Sequence, residues 1–157
     1  MIKVLFVCLG NICRSPMAEA IFKDLVTKEG LEGKISIDSA GTGNWHVGEP
    51  PHEGTRNILT KNQISFEGQK ARQIKTNDLT QFDYIIGMDA ENIGNMHKMA
   101  GQSETGMIAR LLDFVPENEF EDVPDPYFTG NFQEVYDLVT AGCERLLIEI
   151  KNRESLL

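Results

Sequence analysis

Apolar residues follow one another in two rhythms along this chain, and the switch between them outlines the fold. Lys3 to Val7 and Tyr84 to Met88 are short runs with almost no polar interruption, as expected for strands covered on both faces. Ile35 to Ser39 forms a further short strand, and Met107 to Phe114 contains a fourth that ends near Leu112. Between them the period lengthens. Met17, Ala18, Ile21, Phe22, Leu25 and Val26 recur at helical spacing up to about Gly30, a natural stop. Helices are also expected over Glu53 to Asn62 and Ala90 to Ala100, with a single helical turn around Asn77 to Leu79. Phe132, Val135, Leu138, Val139, Leu146, Leu147 and Ile150 mark a long amphipathic helix near the C-terminus. Loops are expected at Gly41 to Pro51 and Gly101 to Gly106, and the acidic, Pro-containing stretch Glu117 to Asn131 reads as irregular surface chain.

Strand alternating with helix implies right-handed βαβ units. Four strands with four or five helices give an α/β, three-layer, doubly wound domain, its parallel four-stranded sheet in the order 2-1-3-4 and flanked by helices on both faces. Ligands of such sheets sit at the C-terminal ends of strands, near the point where the strand order reverses.

Composition narrows the class. The 157 residues, 41% hydrophobic and 25% charged, suit one globular domain spanning 1–157. No apolar stretch approaches the roughly 20 residues that a membrane-crossing helix needs, and the N-terminal residues lack the pattern of a secretory signal. The expected location is the cytoplasm. Fifteen basic against 24 acidic side chains leave a net charge of −9, which argues against nucleic acid or an anionic membrane as partner. Three cysteines make no disulfide framework, and a reducing compartment fits.

The chemistry is concentrated where the first strand ends: Cys8-Leu9-Gly10-Asn11-Ile12-Cys13-Arg14-Ser15-Pro16. A tight loop running into a helix points several backbone N–H groups at one small space, where the helix dipole also favours negative charge. Gly10 is expected to ease the turn, and Asn11 tolerates left-handed backbone and can brace the loop with its amide. Pro16 suits the first helical turn. Arg14 adds a planar fork that matches two oxygens of a phosphate. Loop amides, guanidinium and helix terminus together favour the thiolate of Cys8, a nucleophile aimed at an anion. Ser15 is placed to donate a hydrogen bond to that sulfur. Cys13 either packs under the loop or forms a reversible disulfide with Cys8 after oxidation.

This loop resembles the phosphate-binding loop of the low-molecular-weight protein tyrosine phosphatases. Asp38-Ser39-Ala40-Gly41-Thr42, Trp45, Lys70-Ala71-Arg72-Gln73, Phe82 to Asp89 and Asp125-Pro126-Tyr127 follow in that family's order, so the likeness covers nearly the whole chain. It implies a metal-independent enzyme without cofactor that removes phosphate from tyrosine-phosphorylated proteins through a phosphocysteine on Cys8. Phosphate would be held by Arg14, Ser15 and the loop residues Leu9, Gly10, Asn11, Ile12 and Cys13, with Ser39 bracing Asn11. A poor leaving group also needs a proton. Spacing alone does not separate Asp125 from Asp122 or Asp113; the resemblance selects Asp125 as acid and then base. It also tilts Cys13 toward a protective role.

Trp45, His46, Tyr127 and Phe128 are the expected rim, aromatic walls of a slot deep enough for a phosphorylated phenol. Phe128 stands where the family often has Tyr, and His46 where it often has Asn. Ile12 stands where a related arginine-phosphatase branch carries Thr, and so favours an aromatic substrate. A thioredoxin-coupled arsenate reductase would need two more redox cysteines near the third strand, where this chain has Gly87 and no Cys between Cys13 and Cys143. A non-hydrolytic phosphate carrier or anion-binding module would leave Asp125 and the Arg14 fork without a task. His46, His52 and His97 are scattered for a metal site, Cys143 lies on the apolar face of the last helix, and self-association no stronger than a weak dimer is expected.

Overall fold

In a computed structural model, which describes residues 1–156, four strands alternate with six helices. The order is β1 (Ile2–Cys8), α1 (Arg14–Lys28), β2 (Ile35–Gly41), α2 (Glu53–Lys61), α3 (Thr76–Gln81), β3 (Tyr84–Gly87), α4 (Ala90–Ala100), β4 (Met107–Arg110), α5 (Pro126–Thr129) and α6 (Phe132–Arg153). All strand pairs are parallel, in the order β2-β1-β3-β4. The expected fold class is the one observed.

β1 is central because both of its faces are apolar. Val4, Leu5, Phe6 and Val7 are fully buried, and the two-residue period of a strand sorts them to opposite sides. Val4 and Phe6 join Ile86 in a core shared with α1, α2 and α6, where Phe6 meets Phe22 edge to face with ring centroids 5.4 Å apart. Leu5 and Val7 join Ile85, Leu79, Phe82 and Met96 beneath α3 and α4. The register sets Phe6 between Ser39 and Ile86 and Cys8 beside Gly41. The C-terminal ends of β1 and β2 therefore open on one edge of the molecule, with β3 alongside.

Several boundaries differ from the expected ones. The strand expected to reach about Leu112 stops at Arg110, and Leu111–Phe114 is a 3₁₀ turn. Leu111 and Leu112 are consecutive and both buried, which an alternating strand cannot arrange but a helical turn can. The Asp113 carboxylate holds that turn by accepting from the Arg110 N–H at 2.9 Å. Helix α1 begins at Arg14, earlier than Met17, and the single turn expected around residue 78 is the six-residue α3. The stretch expected to be irregular contains α5, for which Asp125 is the N-cap, its side chain accepting from the Tyr127 N–H at 3.0 Å, and Pro126 the first residue. Asp followed by Pro starts a helix well, because the carboxylate satisfies an orphan N–H and proline has none to satisfy. These two short helices raise the count to six.

Truncating Ile86, fully buried at the centre of β3, should cost about 2–5 kcal/mol as Ile86→Ala, as for other buried aliphatic side chains. Urea unfolding monitored by far-UV circular dichroism measures it, and a loss below about 1 kcal/mol would contradict the close packing of β3 between its two helical layers.

Candidate active site

The strand that carries Cys8 ends in a loop, residues 9–13, which curls back over it. The sharpest backbone position is Asn11, at φ 57°, a left-handed conformation that Asn tolerates better than most side chains. Gly10, expected to ease the turn, is not in that region; the room the loop needs comes from Gly41. A Cβ on Gly41 would lie 2.9 Å from the Leu9 carbonyl oxygen and 3.0 Å from the Asn11 nitrogen. The end of β2 thus lets the loop close against the sheet.

Asn11 holds the loop through every polar atom of its side chain. Its Oδ1 accepts from the Arg72 backbone N–H at 2.9 Å, which leaves Nδ2 as the donor end. The two Nδ2 hydrogens go to Ser15 Oγ at 2.8 Å and Ser39 Oγ at 3.0 Å. Because Ser15 Oγ already accepts from Asn11, its own proton is free for Cys8 Sγ, 3.0 Å away. Ser39 Oγ, for the same reason, donates to Glu19 Oε1 at 2.6 Å. Lys23 pairs with the other oxygen of this buried carboxylate at 2.6 Å. The sulfur receives a second hydrogen bond from the Asn11 N–H at 3.3 Å. Next to it, helix α1 starts at Arg14, and among the described residues its N-cap, Cys13, makes no side-chain capping bond.

Arg14 is buried and clamped. Nη1 donates to Asp89 Oδ2 at 2.6 Å and to the Val123 carbonyl at 2.9 Å, and Nη2 lies 3.4 Å from Asp125 Oδ2. Burial opposes the cation, but the Cys8 sulfur, Asp89 and Asp125 outweigh it and hold the guanidinium above its ordinary range. Its Nε is buried and has no partner among the described residues. A buried donor left unpaired costs free energy unless something accepts from it.

These groups line a cavity of about 250 Å³, bounded by Cys8, Leu9, Gly10, Ile12, Cys13, Arg14, Trp45, His46, Asp125, Tyr127 and Phe128. The structure thus brings together the sequence-selected residues, with Asn11, Ser15 and Ser39 directly behind the wall. Among the three candidate aspartates, only Asp125 reaches the cavity. Asp113 and Asp122 are both held by Arg110. Trp45, Tyr127 and Phe128 stand exposed around the mouth.

Two more residues shape the site, neither of them among the catalytic, phosphate-binding or rim residues expected from the sequence. Asp89 caps α4 through Oδ1, accepting from the Asn92 N–H at 2.8 Å, while Oδ2 clamps Arg14. Its position before a helix signals a cap, but nothing in the sequence signals an arginine 75 residues away. His52 stacks on Phe132 at 5.1 Å and meets the edge of Tyr127 at 5.9 Å. Its Nδ1 accepts from the Gly54 N–H at 3.0 Å and its backbone N–H donates to the Ile12 carbonyl at 2.7 Å. His52 therefore links the rim to the loop.

A Cys-x5-Arg loop at the end of the central strand of a 2-1-3-4 parallel sheet, with an aspartate across the cavity, defines a cysteine-based phosphatase. The family model described as low molecular weight phosphotyrosine protein phosphatase matches residues 3–156, and the chain belongs to that family. It is 62% identical to low molecular weight protein-tyrosine-phosphatase YfkJ of Bacillus subtilis, over 99% of this chain and 100% of that protein. It is 46% identical to low molecular weight protein-tyrosine-phosphatase PtpA of Staphylococcus aureus strain MRSA252, over 94% of this chain and 92% of that protein. The crystal structure of YfkJ superposes with a TM-score of 0.95 at 63% identity, covering 98% and 96% of the two chains. That of DARP, a drosophila arginine phosphatase, does so with a TM-score of 0.89 at 38% identity, covering 96% and 98%.

Burial pushes the Cys13 thiol up to about 12, reinforced by Cys8 and Asp125, and burial raises Cys143 as well. A raised value means the proton stays on, so both are neutral thiols across the physiological range and ionise only in strong alkali. Limiting iodoacetate near neutral pH should therefore alkylate Cys8 ahead of both. Mass spectrometry of the cysteine peptides reads the order, and first labelling at Cys13 would contradict this electrostatic picture.

Proposed function

We propose that the protein hydrolyses phosphotyrosine in proteins by two in-line displacements through a phosphocysteine on Cys8, without a metal ion or cofactor. The observation that carries this reading is one sulfur with hydrogen-bond partners next to an unpaired buried donor: Cys8 Sγ held by Ser15 and the Asn11 N–H, beside the unpartnered Arg14 Nε. A phosphate dianion lowered onto the loop would share its nonbridging oxygens between Arg14, the first N–H groups of α1 and the amides of residues 9 to 13. These donors supply the positive charge that phosphoryl transfer requires.

In the first step the Cys8 sulfur forms a bond to phosphorus as the bond to the phenolic oxygen breaks. Asp125, on the wall facing the loop, gives that oxygen its proton. The phenol leaves and the phosphoryl group stays on sulfur. In the second step Asp125, now ionised, takes a proton from water as the water oxygen attacks phosphorus. The sulfur departs with the bonding pair, stabilised by the Ser15 hydroxyl, whose orientation Asn11 fixes. Inorganic phosphate is released and the cysteine is restored.

Substrate choice follows from depth and wall chemistry. The nucleophile lies at 2% exposure beneath rims of Trp45, Tyr127 and Phe128 at 67%, 54% and 75%, so a long, flat leaving group spans the distance. Ile12 offers an apolar surface to a phenyl ring and no acceptor for a guanidinium. Residues 1–157 act as a single phosphatase domain of the cytoplasm, a monomer or weak dimer. Among the described residues no helix is long and apolar enough to cross a membrane.

Peptides carrying phosphotyrosine, phosphoarginine or phosphoserine, assayed for phosphate release with chelator present, test both substrate class and metal independence. Phosphotyrosine should be preferred. Preference for phosphoarginine would overturn the role of Ile12, and loss of activity with chelator would overturn the role given to Arg14. Asp125→Asn should slow aryl phosphates with poor leaving groups far more than those with good ones, by about 10²–10⁴-fold for the poor ones. Equal losses across a series of substituted phenyl phosphates would remove Asp125 as the acid.

A further inference from the structure

We infer that Gly43 is a specificity-determining residue: its bare Cα is the seat on which the Trp45 ring lies, and it thereby sets one wall of the substrate slot. The inference rests on the phosphotyrosine reading of the cavity and adds a residue that neither lines it nor belongs to the Cys8 loop.

A Cβ built on Gly43 would overlap the six-membered ring of Trp45 at Cζ3, Cε3 and Cη2. The indole is rigid, so the overlap is relieved only by swinging the whole ring about χ1 and χ2, which moves the wall itself. Gly43 is also outside the left-handed backbone region, so its conformation is open to any residue and the glycine is explained by the ring above it. The same segment fixes the wall relative to the chemistry. Gly43 donates its N–H to the Leu9 carbonyl at 2.8 Å, and Thr42 donates to the Cys8 carbonyl at 2.9 Å. The seat is therefore bolted to the residues that carry the nucleophile.

Trp45 has little else to hold it. It is 67% exposed, and among the described residues it stacks on no other ring. Its neighbour His46 is held differently, by Glu49 Oε2 at 3.0 Å, and sits over Gly10 with less crowding: a Cβ there would lie 3.1 Å from His46 Cδ2. An exposed tryptophan ordinarily samples several rotamers. Resting the indole on a glycine selects one of them and keeps its face turned to the slot before a phenyl ring arrives. Such preorganisation reduces the ordering cost of binding.

The test is a cycle of Gly43→Ala, Trp45→Ala and the double variant, with kcat and KM measured on a phosphotyrosyl peptide. Trp45 is the only tryptophan, so acrylamide quenching of its fluorescence reports the ring directly. Gly43→Ala should raise KM about 3- to 10-fold, the range of one lost aromatic contact, with a smaller change in kcat and a changed quenching constant. In the Trp45→Ala background the same substitution should change KM by less than about twofold, because the two act as a unit. Unchanged quenching and KM in Gly43→Ala, or an equal loss in both backgrounds, would overturn the inference. Fluorescence needs no turnover, so an inactive wild-type enzyme would refute the proposed function while the seat is still decided.

Discussion

The orientation of one side-chain amide governs the site. Asn11 sits in a left-handed kink, spends its oxygen on the backbone of residue 72 and so points both amide hydrogens at serine hydroxyls. That choice leaves both hydroxyl protons free, the one on Ser15 for the Cys8 sulfur and the one on Ser39 for the Glu19 carboxylate. A sulfur and a buried carboxylate are thus both served from one central donor. Reversing the amide would set two donors against the Arg72 N–H and an acceptor between the serines, with several buried groups unsatisfied at once.

The fold supplies that amide with its partners. Parallel register brings Ser39 on β2 and Cys8 on β1 to the same edge, and Gly41 lets the loop lie down between them. The helix that follows contributes Ser15, Glu19 and an uncapped N-terminus from one element. Arg14 is then fixed from the far side by Asp89 and the Val123 carbonyl. This also reconciles an acidic protein of net charge −9 with an anionic substrate. The attraction is local, made of buried donors at hydrogen-bond range, where screening by water and salt is weak. The distant acidic surface is screened over roughly 10 Å at 0.1 M salt.

The sheet, the long helices and the Cys8 loop are legible in the sequence because each is written in contiguous residues: unbroken apolar runs, a helical period, a tight cluster of Cys, Gly, Asn, Arg and Ser. Legibility ends where geometry depends on distant partners. Asp125 could not be told from Asp113 or Asp122 by spacing, and only folding separates them, by tying the other two to Arg110. Along the chain Asp89 stands just before a helix and His52 is one of three scattered histidines; their contacts with Arg14 and Tyr127 arise from the packing of remote segments. The 3₁₀ turn after β4 and helix α5 were equally opaque. Leu111 and Leu112 continue an apolar run, yet both must be buried, and the backbone turns to do it.

A covalent intermediate on Cys8 is the central claim and the most directly testable one. Acid-quenching the wild-type enzyme during turnover of a phosphotyrosyl peptide, followed by mass spectrometry of its proteolytic fragments, should place a phosphoryl group on the peptide containing Cys8 and nowhere else. Turnover with the phosphoryl group on another residue, or undiminished turnover by Cys8→Ser, would contradict it.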